Sequence, residues 1–496
     1  MVILDGKHLT IKKLIRIARY REKAAVKQKQ WQLIKDAAAF IQKHLSDKKP
    51  IYGINTGFGA LAQVCISPQH LKKVQKNIIL SHHAGVGKVF EPETVRAAMV
   101  LRINTLVKGN SGVSPQLIKN LIALLNKNVV PIVPTKGSVG ASGDLAPLAA
   151  IGLTLIGKGQ VFYNGKKLRA DRALRIAKVK KITLQPKEGL SLINGTQFST
   201  AIASIINFEG QNLCVLADTC GAMSLEALKG AHTQFDHRIF DVRPHPGAQQ
   251  SAQNIRKLLR GSTIEKSHRK CRKVQDPYSL RCMAQVHGAV RDIFQFTRQT
   301  IEIEINAVTD NPIIFPKQNR ILSGGNFHGE PIAFTLDNMT ISLAELASIS
   351  ERRIFRLLDG RLSHLNPFLT LHPGLNSGFM MAQVTAASLV SHNKVLSHPA
   401  SVDSIPTSAS QEDHVSMSMN AGLKALEVLE NTKYVLAIEL LCACQALDLS
   451  KPLKTSPILE KVKQKIRNVV PFTKTDCPLT PEIEKIKNLI DKNLIK

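Results

Sequence analysis

Across residues 332–358 the apolar side chains Leu336, Met339, Leu343 and Leu346 recur at spacings of three and four. That rhythm puts them on one stripe of an α-helix, the seam along which a long helix packs in a bundle. Leu423, Leu426, Leu429, Leu440 and Leu441 repeat the pattern over residues 421–447. A third long, milder helix is expected to run from Asn194-Gly195-Thr196 to about residue 228. Strand signals are rare: one short segment at 2–6 and another at 160–163, the latter expected as surface decoration. The fold class that follows is all-α (mainly α), built on long bundled helices. Shorter helices are expected over 9–46, where Leu14, Ile17 and Ala18 mark the first and Ile34, Ala38 and Ile41 the second, and over 68–81, 92–108 and 114–127.

A chain of 496 residues with 44% hydrophobic content can bury a large core. Its net charge of +30, densest at 166–181 and 257–273, raises the question of nucleic acid. No aromatics interleave those clusters and no recognition module accompanies them, so a solvated basic surface that steers anions is the better account. The eight cysteines are scattered without a Cys-x-x-Cys pair, and the first ten residues hold no apolar run of signal-peptide length. Reduced thiols in the cytoplasm are the expectation. No apolar stretch reaches the roughly 20 residues of a membrane span.

Several polar segments exceed what a bundle needs. Gly137-Ser138-Val139-Gly140-Ala141-Ser142-Gly143-Asp144 precedes an apolar helix, which Ser142 or Asp144 could cap. Tyr52-Gly53-Ile54-Asn55-Thr56-Gly57-Phe58-Gly59 is a second Gly-rich loop, and Ser81-His82-His83 ends a helix. In Gln275-Asp276-Pro277-Tyr278-Ser279-Leu280-Arg281, Asp276 reads as a cap and Pro277 as first turn. Tyr278 and Arg281 then share one helical face, a guanidinium beside a phenol that suits a substrate carboxylate, although a surface ion pair is the commoner use of arginine. Asn306-Ala307-Val308-Thr309-Asp310-Asn311-Pro312 and the segment around Phe327 (323–330) are rich in turn formers. Gln411-Glu412-Asp413-His414 makes a weak metal site, because its histidine has no partner at ligand spacing. Neither a phosphate loop nor a dinucleotide fingerprint is present.

Taken together, the motifs at 52–59, 81–82, 137–148, 194–196, 273–282, 323–331 and 411–417 resemble those of the aromatic amino acid lyase family, nearly end to end. The resemblance implies a fumarase/aspartase-like long-helix bundle with a small N-terminal region: residues 1–110 carrying the Tyr52 loop and His82, then 111–496. It implies that Gly143 nitrogen attacks the Ala141 carbonyl and Ser142 loses its hydroxyl. The product is a 4-methylidene-imidazol-5-one (MIO) ring made of backbone, so no metal or nucleotide cofactor is expected. It further implies Tyr52 as the base, which requires a phenolate-favouring site. Arg281 with Asn194 would take the carboxylate, Tyr278 and Gln275 would orient the substrate and the ring, and Phe327 would pack beside it. His82 and Glu412 would face an imidazole or the leaving ammonia.

The activity implied is elimination of ammonia from L-histidine to trans-urocanate, the first step of histidine degradation, in a homotetramer with shared active sites. Alternatives are a tyrosine ammonia-lyase or aminomutase of the same family, or a polyanion-binding protein with a vestigial site. His83 departs from the expected small residue and either alters the pocket edge or points away.

Overall fold

The computed structural model describes residues 1–47, 50–268 and 274–494. Cys271 and Lys273 lie outside the described residues. The chain is mainly α, and the long helices run over Gln197–Ala227, Met283–Glu304, Glu330–Leu358 and Ser418–Leu449. Leu336, Met339, Leu343 and Leu346 are all fully buried, as the seam spacing requires. In Ser418–Leu449, Leu429, Leu440 and Leu441 are buried, as are Ala425 and Val428, while Leu423 and Leu426 are only half-buried. No helix among the described residues is long and apolar enough to cross a membrane.

Two compact units divide the chain: residues 1–205, 298–337 and 399–423 form unit 1, and residues 206–297, 338–398 and 424–496 form unit 2. Residue 110 lies within unit 1.

In unit 1, Val2–Leu4 pairs in parallel with Ala24–Val26, a second strand that the sequence did not announce. Helix Ile11–Ala18 starts at Thr10, whose hydroxyl accepts from Lys13 N at 3.3 Å. It packs on Pro92–Leu106, which is buried on every side from Thr94 to Leu106. Gln160–Tyr163 is more than decoration. It is the central strand of a three-stranded antiparallel sheet with Val130–Pro131 and Lys166–Arg169, and Val161 is fully buried. Asn164 and Gly165, at φ 50° and 75°, turn its hairpin.

Three packed helices of unit 1 matter most: Leu71–His82, Leu145–Leu155 and Glu188–Ile193. One ends in His82, one begins just after Ser142 and one stops just before Asn194.

Unit 2 contains a buried polar network. Glu439 receives Arg353 through both carboxylate oxygens, at 2.5 and 2.8 Å, and also the hydroxyls of Ser224 (2.7 Å) and Ser350 (2.6 Å). Asp218 holds the fully buried His287 at 2.9 Å and Arg291 at 2.6 Å. Paired charges with their remaining acceptors filled are the form in which ions survive burial. Cys214, Cys220, Cys442 and Cys444 are buried and unpaired, each thiol pushed well up by burial.

Candidate active site

The Gly-rich segment is clamped from two directions. Asp144 stands at the N-cap position of Leu145–Leu155 yet does not cap it. Its fully buried carboxylate accepts instead from Ser199 N (2.8 Å), Ser199 Oγ (3.0 Å) and Ser138 Oγ (3.2 Å). Burial raises it to about 6 against those hydrogen bonds. The second clamp is backbone. Asp144 N donates to Gly195 O at 2.8 Å and Gly195 N to Ser142 O at 3.3 Å. Gly143 sits in bridge contact with both Gly195 and Ala141, at φ +71°. A Cβ there would lie 2.2 Å from the carbonyl of Gly195, so only glycine fits.

Ser142 projects from this clamp and donates its hydroxyl to Glu412 Oε1 at 2.9 Å. The other Glu412 oxygen accepts from Thr407 Oγ1 at 2.6 Å, and the two residues also exchange backbone bonds of 2.9 and 3.3 Å. The turn they close holds Ser408, Ala409 and Ser410 at φ 52°, 51° and 63°, backbone strain concentrated beside the cavity.

A cavity of about 700 Å³ opens here within unit 1, and Tyr52, His82, Ala141, Ser142, Asn194, Phe327 and Glu412 all line it. Ile78, Leu145 and Leu190 supply apolar wall. Seven residues singled out in the sequence thus converge on one space.

The Tyr52 hydroxyl accepts from Gly59 N at 3.3 Å. The expected phenolate-favouring site is not what surrounds it. Burial chiefly, then the charges of Glu412 and Asp310, raise its pKa, and only the Gly59 N–H opposes them. His82 Nδ1 lies 3.0 Å from Ser81 Oγ, and burial lowers its pKa, so the ring is neutral at pH 7. Asn194 is buried; its Nδ2 donates to Asn311 O at 2.9 Å, while its Oδ1 has no partner.

Behind Asn194 lies a layer that sequence reasoning missed. Arg102, fully buried in Pro92–Leu106, donates to Asn194 O at 2.6 Å and Gln197 Oε1 at 3.1 Å, and burial holds it down at about 10. Lys187 and Asp310, both wholly buried, pair at 3.0 Å, and Asp310 also accepts from Asn311 N at 2.8 Å. Arg102 sits in an unbroken helical pattern and Lys187 follows a proline, so neither gave a signal. Asp310 was visible only as part of a turn.

Gln275, Tyr278 and Arg281 belong to unit 2, and none lines this cavity. The short helix Tyr278–Arg281 is preceded by Pro277 at its N-cap, and Asp276 accepts from Ala231 N at 2.6 Å rather than capping it. Tyr278 is 71% exposed, with the Arg281 guanidinium 5.0 Å from its ring centroid. His83 turns away, into a separate pocket with Leu153, Lys158 and Arg169.

The aromatic amino acid lyase pattern matches residues 9–468. A histidine ammonia-lyase of Stigmatella aurantiaca is 46% identical over 98% of this chain and 96% of its own length. Among solved structures, the histidine ammonia-lyase of Trypanosoma cruzi superposes with a TM-score of 0.92 at 41% identity, covering 100% of this chain and 94% of the other. The tyrosine aminomutase of Streptomyces globisporus reaches 0.94 at 34% identity, over 100% and 97%. With the family pattern matched over residues 9–468 and seven of the motif residues gathered in one cavity, the chain belongs to the aromatic amino acid lyase family.

Proposed function

We propose that this chain, a carbon–nitrogen lyase, eliminates ammonia from L-histidine to give trans-urocanate. One observation carries the reading: the Glu412 carboxylate, anchored by Thr407, meets Ser142 at 2.9 Å in a cavity that also holds Tyr52 and a neutral His82. A carboxylate fixed at that point accepts an imidazole N–H, whereas a phenyl ring offers it no donor. The histidine ammonia-lyases among its relatives agree with this choice.

The residues fit an MIO group formed from Ala141-Ser142-Gly143. Ala141 and Gly143 are already in contact, Gly143 is held at a left-handed φ by Gly195, and Ser142 donates its hydroxyl to the Glu412 carboxylate. Cyclisation joins Gly143 N to the Ala141 carbonyl carbon with loss of one water, and loss of the Ser142 hydroxyl with its α-hydrogen releases a second. When formed, the group supplies the electrophile that amino acid elimination requires.

The surrounding side chains bind and move protons. Tyr52 takes the β-proton, and the Gly59 N–H that meets its hydroxyl at 3.3 Å is the contact that favours the phenolate. Asn194 Oδ1, left without a partner, is free to accept an N–H, while its position is fixed by Arg102. Phe327 and Leu190 give the ring its apolar surface.

Arg281 takes the carboxylate, helped by Asn194, and Tyr278 and Gln275 orient the substrate and the ring, in a homotetramer whose copies share active sites. Tyr278's exposure supports this, as do the exposed apolar side chains Ile341, Met381, Val384 and Val395 on helices of unit 2. The unpaired cysteines among the described residues fit the cytoplasm.

Purified protein offered L-histidine, L-tyrosine and L-phenylalanine separately should turn over histidine fastest. Faster turnover of either competitor overturns the assignment, and a β-amino acid product identifies an aminomutase instead. Tight, steeply salt-dependent binding of nucleic acid with no turnover would favour a vestigial site.

A further inference from the structure

We propose that His328, Glu330 and His414 form a site for a divalent transition-metal ion, with zinc the best fit. His414 comes from the very cluster whose spacing argued against a metal. The missing partners arrive from a segment 84 and 86 positions away in sequence: one ligand atom from each of the three residues lies within 4.8 Å of the others. Among the described residues no other three His, Cys, Asp or Glu side chains converge in this way.

Three further observations point to a ligand. The two imidazoles stack with centroids 5.8 Å apart and planes at 27°, which holds the two rings side by side. His328 Nε2 lies 3.3 Å from the backbone oxygen of His414, which ties the two segments together. Glu330 Oε2 is buried and has no hydrogen-bond partner. A buried, unpaired carboxylate oxygen is costly unless a proton or cation meets it. Glu330 also opens helix Glu330–Leu358, where its charge offsets the positive helix end that would otherwise repel a cation.

Two imidazoles and one carboxylate are a donor set that zinc favours, with an open position for water. In a tetrahedral zinc site the donors stand about 3.4 Å apart, so the three side chains must close by at most roughly 1.4 Å. His414 is exposed and the other two are half-buried, which leaves the imidazoles room to rotate. Both histidines line the cavity described above. A bound ion would therefore tie the segment carrying Phe327 to the one carrying Glu412 and place positive charge on the cavity wall.

Calorimetric titration of zinc chloride into the chelator-treated full-length protein tests this, and needs no substrate turnover. One tight site per chain is expected, weakened roughly tenfold or more by Glu330→Gln and by His414→Ala. X-ray absorption of the zinc-loaded protein should show nitrogen and oxygen neighbours only. The exposed thiols Cys65 and Cys477 are the competing binders. Absence of a tight site, sulfur in the zinc shell, or unchanged affinity in Glu330→Gln overturns the proposal. Glu330→Gln is nearly isosteric, so it keeps the test valid should His414→Ala fail to fold.

Discussion

The hydroxyl of Ser142 donates to Glu412 Oε1 at 2.9 Å, joining residues 270 positions apart in sequence. That bond links the loop proposed to mature into the electrophile to the carboxylate proposed to choose the substrate. The two functions can therefore be separated by mutation.

Ser142→Ala removes the hydroxyl that must leave, and with it one hydrogen bond worth about 1 kcal/mol. We expect turnover to fall by roughly three orders of magnitude or more, with circular dichroism and melting temperature nearly unchanged. The intact mass of the wild type should be two waters below the encoded value, and that of the variant should not. Full activity in Ser142→Ala would falsify the proposed chemistry.

Glu412→Gln keeps the shape but replaces an ionic acceptor by a neutral one. Hydrogen bonds to charged groups contribute about 1.5–3 kcal/mol, so kcat/KM for L-histidine should drop by about 10- to 150-fold. Turnover of L-phenylalanine, measured in parallel, should drop less. An equal loss on both substrates would remove Glu412 from specificity.

Tyr52 has a raised pKa, so its phenolate fraction grows only as pH climbs above the ordinary tyrosine range. The kcat/KM profile should therefore keep rising on its alkaline side. Tyr52→Phe should abolish that limb and cost about 10²- to 10⁴-fold in kcat. A wild-type profile flat from neutral to alkaline pH would count against Tyr52 as base.

Asp144 titrates near 6 in the folded chain against an ordinary value of 3.8. Its folded form holds the proton more tightly than its unfolded form. Its contribution to stability is thus fully present below pH 3.8 and is lost as pH rises through about 6. The full change is on the order of 3 kcal/mol. Asp144→Asn, whose amide can still accept from Ser199 and donate toward Ser138, should flatten this part of the pH–stability curve in urea titrations. A wild-type slope retained in the variant would assign it to other carboxyl groups.

Lys187 and Asp310 are both at zero exposure. Lys187→Met leaves a buried carboxylate without its cation, and a loss of about 3–5 kcal/mol is expected. Adding Asp310→Asn should recover part of that loss in denaturant titrations. A single variant as stable as wild type would show that the pair does not hold the loop at 306–312 in place.

What the sequence made legible depended on the range of each interaction. The seam residues Leu336, Met339, Leu343 and Leu346 follow from local periodicity, and all are buried. The motif residues Tyr52, His82, Ser142, Asn194, Phe327 and Glu412 stood out because their segments occur together, and one cavity gathers them. Asp144 misled: its position beside an apolar helix announced a cap, but Ser199 offered two donors from another segment and won. Arg102 and Lys187 were invisible because a buried cation is marked only by its distant partners. Tyr52 was expected in a phenolate-favouring setting; burial chiefly raises its pKa, and the carboxylates that add to this come from segments 258 and 360 positions away. His328 and His414 failed a spacing test that considers only sequence neighbours.

The contact of Gly143 with Gly195 has a consequence for quality control in the cell. On the proposed reading, the peptide at 141–143 is compressed only when the segment at 194–196 and helix Gln197–Ala227 are already in place. The reactive group would then be born after folding, inside its own shelter, and a misfolded chain would carry no electrophile with which to damage its neighbours. A destabilising substitution far from the cavity would act on the number of chains that ever mature, leaving each mature copy as fast as before.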